Sequence, residues 1–418
     1  MRIMLPVPFS SPTTVLVLIQ LVLVLTSLFS IVVLTRALET REEFLRASSL
    51  RALSVRGGTY LITGATAGIG LALASSLAEA DGVRVLIGAR DAARGADAVA
   101  AVRRAAGPRS SVSLVLVDVA SAASVCAAVE ALAAKGERVD VLVANAGAMD
   151  LRGLRWLTLV RALLTCRMTW FFQTGRAATG TPHFLDTGND ARGALATHVI
   201  GHAALAMALA SRAPLRVVWS GSRAADLGAV EWGADSPQER RPRGALPRDR
   251  PSTSDTPLLP SEAYSGAKAV VDLFSRALNA RGIASAVVCP GFVVTSLAPP
   301  FFVALAPLFV HTRGLVSSFA LTPRRGAIVH LATLAAAPAW EPDAKYVLEN
   351  GRWGRAVCGA TGGTVALEAR AEATVTAALN DWAAKEGGAR LAVLPKLAPE
   401  RCPTLKNKTR AASKGRRI

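Results

Sequence analysis

The sequence predicts an α/β domain built on a doubly wound parallel sheet, with a single membrane-spanning helix in front of it. Three observations predict it. Twenty uncharged, mostly apolar residues run from 15 to 34; short apolar segments alternate with Ala-rich stretches of helical length from residue 57 on; and a glycine-rich turn joins the first such pair. The chain has 418 residues, 51% apolar and 19% charged, which excludes an intrinsically disordered protein and allows a large buried core. Formal net charge is +18, but 40 of the 48 basic residues are Arg in a chain equally rich in Ala and Gly. That skew resembles in part the mark of GC-rich coding and is discounted, and with only 5% aromatic residues and no reading motif no nucleic-acid partner is expected. Cys126, Cys166, Cys289, Cys358 and Cys402 form no C-x-x-C pair, so neither a metal site nor a disulfide framework is signalled and a reducing compartment fits.

As a helix the run 15–34 spans about 30 Å, the thickness of a hydrocarbon core. A cleaved signal peptide fits less well, because its apolar region is usually about 7–15 residues and an A-x-A site follows it. Arg36, Arg41, Arg46, Arg51 and Arg56 follow the span and Arg2 alone precedes it, so the bulk of the chain is expected on the cytosolic side. The expected organisation is a membrane anchor at 1–36, a charged linker at 37–56, the α/β domain at 57–390 and a basic tail at 391–418. Strands are expected at 59–62, 83–87, 112–117, 139–144, 216–219 and 284–289, and helices at 69–80, 92–105, 122–134, 191–211 and 263–280. Insertions at 151–189 and 234–260 break this rhythm; the second carries six prolines and five arginines and reads as an irregular loop.

The first strand leads into Thr63-Gly64-Ala65-Thr66-Ala67-Gly68-Ile69-Gly70 and an apolar helix. Glycines let the backbone turn sharply and approach a ligand, while the positive end of the helix faces an anion, so this Rossmann-type turn suits a pyrophosphate. A plain Gly-rich strand-to-helix turn is the other reading. Arg90, at the end of the second strand, is placed to pair with a 2′-phosphate, which favours NADP(H) over NAD(H); an unpartnered surface Arg is the alternative. Asp118 and Val119 end the third strand at the adenine position, and Asn145-Ala146-Gly147 ends the fourth with a small-residue turn against the cofactor. Of three tyrosines only Tyr264 has a lysine four residues on, Lys268, inside a helical run. Residues four apart share a helix face, so an ammonium there would favour the ionised phenol and make it a workable proton donor and acceptor. Ser222, beyond the fifth strand, supplies a hydroxyl that can orient a carbonyl, and Pro290-Gly291 through Thr295 closes the sixth strand with a turn suited to the nicotinamide amide.

TGATAGIG, ANAG, a Ser after strand five, YSGAK and PGFVVT, in this order over about residues 57–300, resemble the short-chain dehydrogenase/reductase superfamily. Within it the chain is most similar to the 3-keto-steroid reductase/17-beta-hydroxysteroid dehydrogenase type 7 family, on the insertion after ANAG, VVWSGSR, THVIGH, APPFFVALAPLFV, FALTP and KYVLENGRWGR. The N-terminal span and the 42-residue interval from Ser222 to Tyr264 depart from that family's pattern. The resemblance implies Tyr264 as general acid, Lys268 tuning it and holding the nicotinamide ribose, and Ser222 orienting the ketone; the Asn that usually completes the set falls here on Thr197. It also implies NADPH-dependent reduction of a 3-keto sterol in C4-demethylation at the endoplasmic reticulum membrane, beside other sterol-synthesis enzymes. A retinol or other lipid dehydrogenase and a non-catalytic cofactor-binding scaffold are the alternatives. The fourteen apolar residues 297–310 are too few to span a bilayer and read equally as a lipophilic substrate mouth, an interfacial patch or a buried helix.

Overall fold

The structure, a computed structural model, describes residues 12–147, 153–154, 178–179, 194–226, 260–291, 293, 295, 322–341, 344–349, 352–356 and 365–385. Most of both expected insertions lies outside the described residues, as do the apolar stretch 297–310 and the tail 391–418.

Each expected strand forms within two residues of its expected ends: β1 Gly58–Thr63, β2 Val83–Ala89, β3 Ser111–Leu116, β4 Val141–Ala144, and, after the short antiparallel pair β5 Gly153–Leu154 and β6 Ala178–Thr179, β7 Arg216–Ser220 and β8 Ala284–Cys289. The chain closes the main sheet with β9 Lys345–Glu349, parallel to β8, and β10 Arg352–Ala356, antiparallel to β9. The eight strands lie in the order β10-β9-β8-β7-β4-β1-β2-β3. The order reverses between β1 and β4, and in such a sheet ligands bind beyond the carboxyl ends of the strands at that point.

Helices cover both faces, which is why the strands read as continuous apolar runs. On one face Leu61, Leu142, Val217, Trp219 and Val287 pack against helices α4 Ala122–Ala134, α5 Gly201–Ala210, α6 Pro260–Ala280 and α8 Val365–Lys385. The alternate residues Tyr60, Ile62, Val143, Val218 and Val288 pack on the other face with α2 Gly68–Glu79, α3 Ala92–Arg103 and α7 Pro323–Ala336. The helix expected at 191–211 is not uniform, because Ala196–Ile200 forms a π-helical turn before α5.

The linker expected at 37–56 is instead helical. Helix α1 runs unbroken from Pro12 to Arg56, and its second half docks on the domain. Leu38 and Leu53 are buried, Arg46 pairs with Glu79 of α2, and Arg325 of α7 reaches Glu39 at 2.5 Å and Glu42 at 3.4 Å. Arg56 donates to the Leu334 and Ala335 carbonyls at 2.7 and 2.9 Å. The charges that suggested a solvated linker are therefore one polar stripe of a helix whose apolar residues join the core. The exposed first half has a mean hydropathy of 2.8 over its most apolar window and is long and apolar enough to cross a membrane.

Candidate functional site

The glycine-rich turn lies at the sheet's reversal point. Gly64, at φ +65°, adopts the left-handed region, and a Cβ there would stand 2.9 Å from the Ala146 Cα. Gly70 is held as tightly, since its Cβ would meet the Gly64 carbonyl at 2.5 Å. The turn thus closes against Asn145-Ala146-Gly147, with Ala65 fully buried beneath it and Thr66 and Ile69 partly exposed. Gly68 faces Thr295, so the turn after β8 meets the turn after β1. Ala67, the N-cap of α2, contributes no side-chain hydrogen bond to the helix start. First-turn N–H groups without a side-chain cap fit the pyrophosphate of a dinucleotide.

Thr63 fixes the base of this cradle. Its hydroxyl accepts from the Asn145 and Ala146 N–H groups, both at 3.0 Å, and lies 2.8 Å from His202 Nε2, while Asn145 Nδ2 donates to the Thr63 carbonyl at 3.0 Å. Arg90 is exposed just before α3. Asp118 accepts from the Ala120 N–H at 2.9 Å in a local turn, with Val119 buried beside it. Pro290 and the more exposed Gly291, at φ +77°, follow the end of β8.

The Ser222, Tyr264 and Lys268 side chains converge beyond β7. The Ser222 hydroxyl stands close enough to the Tyr264 hydroxyl to favour its phenolate, and Lys268 Nζ lies 5.5 Å from the centre of the Tyr264 ring. Lys268 is buried and donates to the Ser220 carbonyl at 2.6 Å. The sequence suggests a phenol that ionises readily beside this ammonium; in the structure burial acts the other way. Burial pushes Tyr264 up to about 12, outweighing the Ser222 hydroxyl and the positive charge of Lys345, which both favour the phenolate. Burial likewise brings Lys268 down to about 8, with Asp272 and Cys289 acting to keep it charged and Lys345 acting against that. Tyr264 thus keeps its proton at neutral pH, with the Lys268 ammonium beside its ring.

Thr197 lies half-buried in the π-helical turn, and the next residue, His198, meets the Tyr264 ring edge-on with centroids 5.3 Å apart. His198 also packs against Gly147. A π-helical turn is a frequent mark of functional sites, and here it aims the His198 ring at the tyrosine.

Further residues complete the surroundings: His330 and Asp272, which motif reading missed, and His202 and Lys345, which lie in the runs THVIGH and KYVLENGRWGR. His330 of α7 lies 2.9 Å from Ser220 Oγ, which also bonds Asn145 Oδ1 at 3.2 Å. Burial holds His202 down to about 3 and His330 down to about 4, so both rings are neutral. Lys345, at the start of β9, forms a buried 2.5 Å ion pair with Asp272 and donates to the Ser222 carbonyl at 3.0 Å. The available signals were a lysine opening an apolar strand and an aspartate one turn beyond Lys268. Among the described residues no group of three or more His, Cys, Asp or Glu side chains could hold a metal ion. The arrangement offers one hydroxyl that can orient a carbonyl, one that can protonate it, and a cation behind them.

The family described as short chain dehydrogenase matches residues 59–164. The chain is 31% identical over 281 residues to 3-keto-steroid reductase/17-beta-hydroxysteroid dehydrogenase 7 of Homo sapiens, covering 64% of this chain and 76% of that protein. It is 29% identical over 282 residues to the Rattus norvegicus protein of the same description, covering 64% and 78%. Over 102 residues it is 39% identical to retinol dehydrogenase 14 of Mus musculus, covering 22% of this chain and 30% of that protein.

Proposed function

Because the chain belongs to the short-chain dehydrogenase/reductase superfamily and, within it, to the 3-keto-steroid reductase/17-beta-hydroxysteroid dehydrogenase 7 family, we propose that it reduces the C3 ketone of a sterol intermediate in C4-demethylation, with NADPH as reductant. It is an oxidoreductase acting on CH–OH and C=O groups with a nicotinamide cofactor. The observation that carries the reading is the arrangement of Tyr264 and Lys268 beside the Ser220–Ser222 strand end, with the Lys268 ammonium 5.5 Å from the Tyr264 ring centre and bonded to the Ser220 carbonyl.

A bound reduced nicotinamide supplies the hydride. The glycine turn at Gly64–Gly70 receives the pyrophosphate, Arg90 the 2′-phosphate, Asp118 and Val119 the adenine, and Pro290, Gly291 and Thr295 the nicotinamide end. Ser222 donates to the substrate carbonyl oxygen and orients it. Tyr264 transfers its proton to that oxygen as negative charge develops, and the Lys268 ammonium stabilises the phenolate left behind until it is reprotonated. Thr197 stands where a water-linked proton route to Lys268 would begin.

The exposed apolar half of α1 supports a membrane anchor, and the arginines after it a cytosolic catalytic domain on the endoplasmic reticulum, within reach of a lipophilic substrate and of other sterol-synthesis enzymes. NADPH turnover on a 3-keto sterol and on retinal, side by side, tests the assignment. Faster reduction of the sterol is expected; faster reduction of retinal would transfer the chain to the retinoid enzymes, and cofactor binding without reduction of either would make it a scaffold.

A further inference from the structure

We propose that Lys345, held by Asp272, is a positioning residue that fixes the Ser222 main chain and acts as a second buried cation beside Lys268 and Tyr264; the proposal rests on the oxidoreductase reading above. The pair joins three elements. Lys345 opens β9 opposite Val287 of β8, Asp272 lies on α6 one turn beyond Lys268, and the Lys345 ammonium bridges the Asp272 carboxylate at 2.5 Å and the Ser222 carbonyl at 3.0 Å. Both side chains are almost wholly buried, at 2% and 4% exposure. At Gly221, between Ser220 and Ser222, a Cβ would lie in ordinary van der Waals contact with this carboxylate and would clash with the Val287 side chain.

Stability alone does not explain such a pair, because two apolar side chains of similar volume generally serve a core as well as a buried ion pair does. Placement does. The main chain of the segment Ser220–Ser222 is held by two lysines, Lys268 on the Ser220 carbonyl and Lys345 on the Ser222 carbonyl, so that Ser222 cannot swing without breaking a charged bond. Asp272 is the carboxylate between the two cations. It favours the charged form of Lys268, which Lys345 opposes, and Lys345 favours the phenolate of Tyr264. The other groups facing Lys268 are Cys289 on β8, His202 on α5, His330 on α7 and Tyr264 on its own helix.

Three variants of the full chain in detergent test the role: Lys345→Met, Asp272→Asn, and the double variant Lys345→Met/Asp272→Leu, which removes both members of the pair together. NADPH binding, read by cofactor fluorescence across pH, needs no substrate and so stands apart from the sterol assignment. In the native protein affinity should fall as Lys268 loses its proton near pH 8. Lys345→Met should move that midpoint up, and Asp272→Asn should move it down, each by about one unit. With a 3-keto sterol, kcat of the double variant should drop about 10–100-fold with KM little changed, as expected when Ser222 is misaligned, and Lys345→Arg should recover part of it. A double variant with native midpoint and native kcat overturns the proposal, as do single variants that bind NADPH with unmoved midpoints. If the singles fail to fold, the double variant alone decides. A native chain that binds NADPH but reduces no sterol defeats the substrate assignment and leaves the binding midpoints to judge Lys345.

Discussion

Lys268 Nζ donates a 2.6 Å hydrogen bond to the main-chain oxygen of Ser220, which ties the buried ammonium to the strand end that leads into Ser222. Because Lys268 titrates near 8 and Tyr264 near 12, the active form for reduction carries both protons, an ammonium and a phenol. Ketone reduction is therefore expected to hold steady from neutrality to about pH 8 and to decline above it as Lys268 is neutralised. The reverse oxidation requires the phenolate and should rise over the same range. Initial rates in both directions across pH check this; a reductive rate that climbs above pH 8 would count against it.

Removing the proton donor should be far more damaging than removing the hydroxyl that orients the carbonyl. Tyr264→Phe keeps the ring against His198 but has no proton to give, so turnover should be abolished while NADPH still binds. Ser222→Ala loses the hydroxyl beside Tyr264 that is expected to orient the carbonyl, and should cost about 10²–10⁴-fold in kcat. Retained turnover in Tyr264→Phe would mean that another group donates the proton.

Cofactor preference tests Arg90. Its side chain is exposed at the end of β2, so substitution disturbs no core contact and isolates the ligand effect. Arg90→Ala should narrow the preference for NADPH over NADH by about 1–3 kcal/mol, the scale of one charge-assisted hydrogen-bond set. Equal affinity of the native protein for the two cofactors would remove the basis of the assignment.

The nucleotide half of the domain was legible because its signals are local. The apolar segments that became β1 to β4 are bounded by glycines and polar turns, and the turn beginning at Gly64 needs residues that are recognisable one by one. The expected linker failed because a charged, Leu-containing stretch looks the same whether solvated or docked, and only the distant partners Glu79, Arg325 and Leu334 decide. The Lys345–Asp272 pair was hidden for a similar reason: 73 residues separate its members, and only the addition of β9 beside β8 brings them together. The site's histidines gave no spacing signal at all, since His202 and His330 meet the strand ends from opposite faces of the sheet.

Those two histidines make stability depend on acid. Each ring is neutral in the fold, at about 3 for His202 and about 4 for His330, whereas unfolding returns both to the ordinary value of 6.5. Below that value the unfolded chain binds more protons than the folded one, so stability is full above about pH 6.5 and is lost as pH falls. Each ring should remove about 1.4 kcal/mol per pH unit until its own folded pKa is reached. Melting temperatures from pH 7 to pH 5 should fall steeply in the native protein and less so in His202→Gln. A flat native profile would show that the rings are not held neutral.

Thr197 separates a weakened enzyme from an inactive one. In the family the side chain at this place is an Asn that holds a water linking the catalytic Lys to solvent, which lets the Tyr recover its proton. Thr197 sits half-buried in the π-helical turn, with His198 on the Tyr264 ring immediately after it. Its hydroxyl can donate once and accept, but it lacks the length and second donor hydrogen of an amide. The Thr197 and His198 main chain faces the His202 ring from this π turn. The expected outcome is a relay that survives through a shifted water, with turnover reduced rather than lost. Thr197→Asn should then raise kcat or leave it unchanged, with no effect on NADPH affinity. A native protein that binds NADPH but reduces neither sterol nor retinoid ketones, and that gains activity on Thr197→Asn, would instead be a cofactor-binding scaffold whose missing amide is the reason for its silence.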